Sequence, residues 1–208
     1  ARKGSADETS LIQEYFGTTL QPLFTIRDAI AAKRLVPYNY FFRTVTLLPD
    51  EEEDYMALTI KIKKTVAMNK GKFPTDKKEA AFFQNLLIKR AAIIKGASQK
   101  SDLARDVLQE KFVEGDRWLV YCQDQFQMGR VKDELTGAKY PILDYHQAME
   151  GDASRTLEFF TREGGVMLAI KCLDEGVDIP EINRALILAS STNPREYIQR
   201  RGRVLRAR

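Results

Sequence analysis

From Arg117 to Ala189 short apolar runs alternate with helical patterns, and that alternation leaves few folds open. Arg117-Trp118-Leu119-Val120-Tyr121-Cys122 reads as a buried strand, Gln125 to Leu135 as a helix, Tyr140 to Leu143 as a strand and Ser154 to Arg162 as a helix. Gly165 to Ile170 is the next strand, Arg184 to Ala189 another, and a helical pattern resumes at Arg195. Strands separated by helices predict an α/β fold built on a parallel sheet covered on both faces, with ligands gathering beyond the carboxyl ends of the strands.

Gly115-Asp116 marks the start of this rhythm; before it the pattern is helical. Residues 1–48 read as an irregular lead-in, with a short helical pattern at Ile26-Arg27-Asp28-Ala29-Ile30 and an alternating run from Tyr38 to Leu48 in which Phe42, Val45 and Leu47 point to a strand. Pro49 and the acidic run Asp50 to Asp54 suit the start of a helix, whose first amides carry partial positive charge, so a helix is expected from about Glu51 to Met68. After the break at Gly71 to Pro74, Thr75 is expected to cap a second helix with a broad apolar face of Phe82, Phe83, Leu86, Leu87, Ala91 and Ile94. Ser98 is expected to cap a third, carrying Leu103, Val107, Leu108 and Phe112. The expected organisation is thus a lead-in over 1–48, a helical segment over 49–114 and the α/β unit over 115–208.

A chain of 208 residues, 44% hydrophobic and 30% charged, has ordinary globular composition and room for one substantial core. No apolar run approaches the roughly 20 residues of a membrane span. The N-terminus lacks the apolar stretch of a secretion signal, and Cys122 and Cys172 show neither metal-ligand spacing nor a disulfide framework, so no metal site is expected and a reducing cytoplasm is the simplest setting. The formal charge is only +4. It is unevenly spread: from Lys61 to Lys111 there are 13 Lys and Arg against 5 Asp and Glu, 13 − 5 = +8. Clustered cations suit phosphate backbones, and a solvated helix face would look the same on charge alone.

The last stretch, Gln199-Arg200-Arg201-Gly202-Arg203-Val204-Leu205-Arg206, sets a glutamine and four arginines around one glycine. Guanidinium is always charged and presents a planar fork of donors, suited to the oxygens of a nucleotide triphosphate. Arg203 and Arg206 stand at i and i+3, one face of a helix, where both can aim at one ligand. Arginines also complement a helix carboxyl terminus, and Gly176 with Asp178 upstream also fits an ordinary turn.

Taken together, Asp174-Glu175-Gly176-Val177-Asp178-Ile179-Pro180, the strand after it and Gln199 to Arg206 resemble motifs V and VI of superfamily 2 helicases and translocases of the DEAD/DEAH type. The resemblance covers about residues 115–208 and implies their second, RecA-like lobe, a P-loop NTPase-type fold. The strand ending at Cys122 with Gln123-Asp124 resembles motif IV, and Asp144-Tyr145-His146-Gln147 with Arg155 and Phe159 resembles the next strand and helix. The lead-in, with Tyr15-Phe16-Gly17, Arg27 to Ile30 and Leu35-Val36-Pro37-Tyr38, is similar to the segment after the first lobe in bacterial, phage and xeroderma pigmentosum group B type helicases, with type III restriction motors close by. The basic helices would then correspond to a thumb-like insertion.

The resemblance implies that Arg203 and Arg206 act as arginine fingers on ATP bound by another lobe. It implies that Gly176, Asp178, Gln199 and Gly202 shape the nucleotide side, and that Gln123, Asp124, His146, Gln147, Ile170 and Lys171 line the nucleic-acid side. Ile170 stands where many relatives carry a threonine, so a backbone amide or Lys171 takes over that phosphate contact. His146, the one histidine, has a strand-end packing or hydrogen-bonding role as its competing reading.

No Gly-x-x-x-x-Gly-Lys-Ser/Thr loop and no Asp-Glu-x-His box occur in the sequence. The expectation is a carboxyl-side piece of a larger motor whose first lobe lies elsewhere, with ATP and Mg2+ used by the parent and bound poorly by this piece, which alone hydrolyses none. DNA is the expected partner, with RNA left open, and no membrane. The alternatives are the motor lobe of a restriction system that translocates duplex DNA, and a non-catalytic module that binds nucleic acid or a partner protein.

Overall fold

A computed structural model describes residues 14–15, 17, 25–146, 152–170 and 182–189. The centre is a parallel four-stranded sheet built from β1 (Arg117–Cys122), β2 (Ile142–Tyr145), β3 (Gly165–Ile170) and β4 (Arg184–Ile187), in the order β2-β3-β1-β4. Its register sets Arg117 to Cys122 beside Gly165 to Ile170, with Trp118 to Tyr121 also beside Arg184 to Ile187. Ile142 to Tyr145 pair with Val166 to Ala169 on the far edge. β1 and β3 lie where the sequence pattern puts them, β4 ends at Ile187, two residues short of the expected Ala189, and β2 sits two residues further on than expected.

Residue alternation splits each strand between two cores. Trp118, Val120, Cys122, Val166 and Leu168 face one layer, with helices α4 (Gln99–Lys111) and α5 (Gln125–Glu134) contributing Ala104, Leu108, Met128 and Val131. Leu119, Tyr121, Met167 and Ala169 face the other, closed by Phe160 of α6 (Ala153–Glu163). Because both faces are covered, β1 and β3 are almost continuously apolar, as a doubly covered parallel strand must be. The expected α/β parallel-sheet architecture, preceded by a mostly helical segment, is the one observed.

Before the sheet come α1 (Ile26–Ala31), α2 (Pro49–Met68) and α3 (Lys77–Gly96). Helices α2 and α3 form a hairpin around Ile62, Phe83 and Leu86, with Leu58, Val66 and Leu87 beside them. Four sequence expectations are corrected here. Residues 38–48 form no strand; at the end of the run the Thr46 amide bonds to the Gln99 side chain and the Leu48 amide to Glu51, partners that a strand edge would otherwise supply. Asp76, not Thr75, caps α3, accepting from the amides of Lys78 and Glu79. Ser98 precedes α4 without a side-chain cap bond: its own backbone is helical, φ −58° and ψ −44°, where a capping residue is extended, and its hydroxyl donates to Glu51. The apolar face of α3 is narrower than its sequence, with Phe82 60% exposed while Phe83 is 5% exposed, since one partner helix covers one stripe.

Candidate functional site

The carboxyl ends of the strands are where a parallel sheet presents loops to a ligand, and the described site residues converge there. Gln123 and Asp124 follow β1, His146 follows β2 and Ile170 ends β3. Asp124 is exposed and is the N-cap of α5, its carboxylate accepting from the Gln127 amide at 2.9 Å. Gln123 is half-buried and donates its amide to the Gln127 side-chain oxygen at 2.8 Å, while its own Oε1 has no partner among the described residues. His146 is half-buried, with Nδ1 buried and likewise unpartnered among the described residues. The Ile170 side chain packs against the core on the α5 side, opposite Cys122, so its side chain serves the interior and leaves the backbone for any outward contact. Gln147, Lys171, Gly176, Asp178, Gln199, Gly202, Arg203 and Arg206 lie outside the described residues.

Acid and base groups at this edge are set by their neighbours. Asp144 on β2 takes the Lys132 ammonium at 2.6 Å, and its second oxygen is buried without a partner among the described residues. Burial, then the charges of Asp124 and Asp144, push the Cys122 thiol up to about 12, so it is a buried apolar group at neutral pH. Cys172 lies outside the described residues. Among the described residues no group of three His, Cys, Asp or Glu side chains is placed to hold a metal ion, and no helix is long and apolar enough to cross a membrane.

Three residues of this edge escape a reading of the sequence. Gln127 is 1% exposed, and besides receiving the Gln123 amide it donates Nε2 to the Lys95 carbonyl of α3 at 2.9 Å. Its signal is the Asp124-x-x-Gln127 spacing, a capping-box pattern at the start of α5. Phe126 is 74% exposed in the first turn of the same helix, with the Arg130 guanidinium 5.8 Å from its ring, a flat apolar surface beside a fixed positive charge. Lys100, from α4, donates to the Leu188 carbonyl just beyond β4; nothing local in the sequence marks it. A cleft between the end of α4 and the α5–β2 connection, lined by Phe112, Leu135 and Tyr140, lies at the opposite, amino-terminal end of the strands, away from this edge.

A parallel sheet covered by helices on both faces is the architecture that the RecA-like fold shares. Residues 99–208 match the family described as Helicase conserved C-terminal domain, and the chain belongs to that family. It is 26% identical over 110 residues to the DNA 3′-5′ translocase XPB2 of Sulfurisphaera tokodaii, an alignment covering 53% of this chain and 24% of that protein. The chain therefore spans about a quarter of that relative's length. The C-terminal part of the Fun30 ATPase domain superposes with a TM-score of 0.56 at 12% identity, over 83% of this chain and 82% of that one. The fold is that of a superfamily 2 helicase C-terminal lobe.

Proposed function

We propose that the chain is the C-terminal motor lobe of an ATP-dependent DNA helicase or translocase, contributing arginines to a nucleotide held mainly by another lobe. The observation that carries this reading is that one family match spans both the sheet and the two runs Asp174–Pro180 and Gln199–Arg206. The relative's activity, that of a DNA 3′-5′ translocase, favours DNA and movement along it. With neither a lysine loop nor an acidic box in this sequence, ATP phosphates and Mg2+ would be bound by residues of the other lobe. Arg203 and Arg206 would then stabilise the charge that gathers on the transferred phosphoryl group, with Gln199, Gly202, Gly176 and Asp178 shaping the same side.

Gln123, Asp124, His146, Gln147, Ile170 and Lys171 belong in this reading to a groove that grips nucleic acid at its phosphates, with Phe126 offering a face for a base. The hairpin supports the same partner: Lys61, Lys63, Lys64, Lys70, Lys72, Lys77 and Lys78 are all exposed, and Phe73 is exposed at its tip. We place the functional divisions at the lead-in 1–48, the basic insertion 49–114 and the lobe 115–208, with α4 lying on the lobe's sheet although it precedes residue 115.

The test uses the full-length parent. Arg203→Ala or Arg206→Ala should lower nucleic-acid-stimulated ATP turnover by about a thousandfold or more while nucleic-acid affinity stays within about threefold. Intact turnover with lost binding would instead support a non-catalytic binding module. The 208-residue chain by itself is expected to show no ATP turnover.

A further inference from the structure

The hairpin and the sheet meet at one carbonyl. The Lys95 oxygen, in the last turn of α3, accepts from Gln127 Nε2 at 2.9 Å and from Lys100 Nζ at 3.3 Å. Each donor then reaches a strand end. Gln127 receives the Gln123 amide just beyond β1, and Lys100 donates to the Leu188 carbonyl just beyond β4 at 2.7 Å. Leu188 is itself tied to the sheet, its amide donating to the Tyr121 carbonyl at 3.1 Å. The junction is closed to solvent, with Ala97 1% exposed, and a Cβ on Gly96 would come into ordinary contact, 3.9 Å, with Gln123 Oε1.

An ammonium is a costly group to remove from water. Burial, and then the neighbouring Lys95 charge, pull the Lys100 pKa below its ordinary value. A lysine serving only as a solvated surface charge would be fully hydrated; this one spends two of its three donors on backbone carbonyls from two different units. Those units differ in role. The hairpin carries the exposed lysines, and from Ala189 the chain runs on to the arginine-bearing stretch that begins ten residues later at Gln199.

We infer that Lys100 is a positioning residue that clamps the end of β4 to the base of the helical hairpin, so that a shift of the hairpin on nucleic acid is passed to the strand from which the arginine-bearing stretch departs. The transmission rests on the motor reading proposed above; the clamp does not. Gln127 holds the other arm, fixing the same hairpin carbonyl against the end of β1. Two rigid links from one point make the hairpin base and the carboxyl edge of the sheet move as one body, which is what coupling between a nucleic-acid contact and a phosphate contact demands.

The experiment compares the full-length parent with Lys100→Met, which keeps the stem and removes the donors, and Lys100→Arg, which keeps charge and donors. Amide hydrogen exchange at Leu188 reads the clamp, and the ratio of nucleic-acid-stimulated to unstimulated ATP turnover reads the transmission. Lys100→Met should raise Leu188 exchange and lower the stimulation ratio, each by about tenfold, a coupling of ordinary size, with nucleic-acid affinity within about threefold. Lys100→Arg should recover at least half of both effects. Unchanged exchange in Lys100→Met overturns the clamp. Faster exchange with an unchanged ratio, or no recovery in Lys100→Arg, overturns the transmission. Should Lys100→Met not fold, Lys100→Gln, a shorter neutral side chain that cannot reach both carbonyls, is held to the same criteria. Arg203→Ala, measured alongside, separates the two ideas: if turnover is indifferent to it the motor reading fails, while Leu188 exchange still decides the clamp.

Discussion

Glu51 in the first turn of α2 takes both the amide and the hydroxyl of Ser98 on a single carboxylate oxygen, at 2.8 and 2.7 Å, across 47 residues of sequence. Its other oxygen takes the Leu48 amide at 3.0 Å, so one carboxylate closes the start of α2 and ties it to the junction between α3 and α4. Burial acts to raise its pKa, but the bonds from the Ser98 hydroxyl, the Leu48 amide and the Ser98 amide, with the Arg130 charge, outweigh it and hold the group below the usual 4.5.

A carboxylate depressed on folding stabilises the folded state fully above its unfolded pKa, and that contribution fades as pH falls from about 4.5 through the lower folded value. Glu51→Gln should therefore lower the urea midpoint at pH 7, and the gap from the parent should close as the pH is taken below 4.5. Parallel stability curves for the two proteins down to pH 3 would show that the carboxylate does not carry this tether.

Gly165 opens β3 at φ +110°, and a Cβ placed on it would stand 2.5 Å from the Pro141 carbonyl oxygen. Gly137 also has positive φ, +82°, but a Cβ there meets nothing within 4 Å. The contrast gives a paired prediction. Gly137→Ala should cost about 1 kcal/mol, the backbone conformation alone, whereas Gly165→Ala should cost at least about 3 kcal/mol because backbone must shift as well. Equal costs by chemical denaturation would mean that the close approach to Pro141 is relieved at no expense.

The sheet was legible because its information is local. Runs such as Trp118 to Cys122 and Val166 to Ala169 are apolar on both faces, and few structures other than a doubly covered parallel strand bury such a run. Residues 38–48 misled for the complementary reason: alternation describes a side-chain pattern and says nothing about whether a partner edge exists. Phe82 and Ile94 misled because helical periodicity counts apolar positions, while burial depends on how many neighbours arrive. The junction of Lys95, Gln127, Lys100 and Leu188 was the least legible part. Polar contacts separated by as many as 88 residues leave no periodic trace, and only the cap spacing at Asp124 and Gln127 hinted at it.

Asp124 combines two demands that substitution can separate. As N-cap of α5 it satisfies the Gln127 amide, so Asp124→Ala should cost about 1 kcal/mol while Asp124→Asn, which keeps an accepting oxygen, should change stability by only a few tenths. In the proposed nucleic-acid groove its exposed negative charge would oppose phosphates. Asp124→Asn in the parent should therefore tighten binding at low salt and lose that advantage as salt rises. Weaker binding in Asp124→Asn would mean that the carboxylate itself accepts from the ligand.

Cys122 offers a readout of whether the floor of this edge is as closed as it looks. The residue ends β1, is 2% exposed and lies opposite Ile170, so its thiol faces the α5 layer beneath the candidate groove. With its pKa pushed up to about 12, only about one thiol in ten thousand is ionised at pH 8, against about one in ten for a thiol at the usual 9.0. Thiolate is the reactive form, and the reagent must also reach it. In a Cys172→Ala background, labelling of Cys122 by an aromatic disulfide reagent at pH 8 should therefore proceed only as fast as the lobe opens, and should accelerate in urea in step with loss of the fold. Complete labelling within minutes in native buffer would mean that the strand end opens locally. The link from β1 through Gln123 and Gln127 to the hairpin would then be loose at its sheet end.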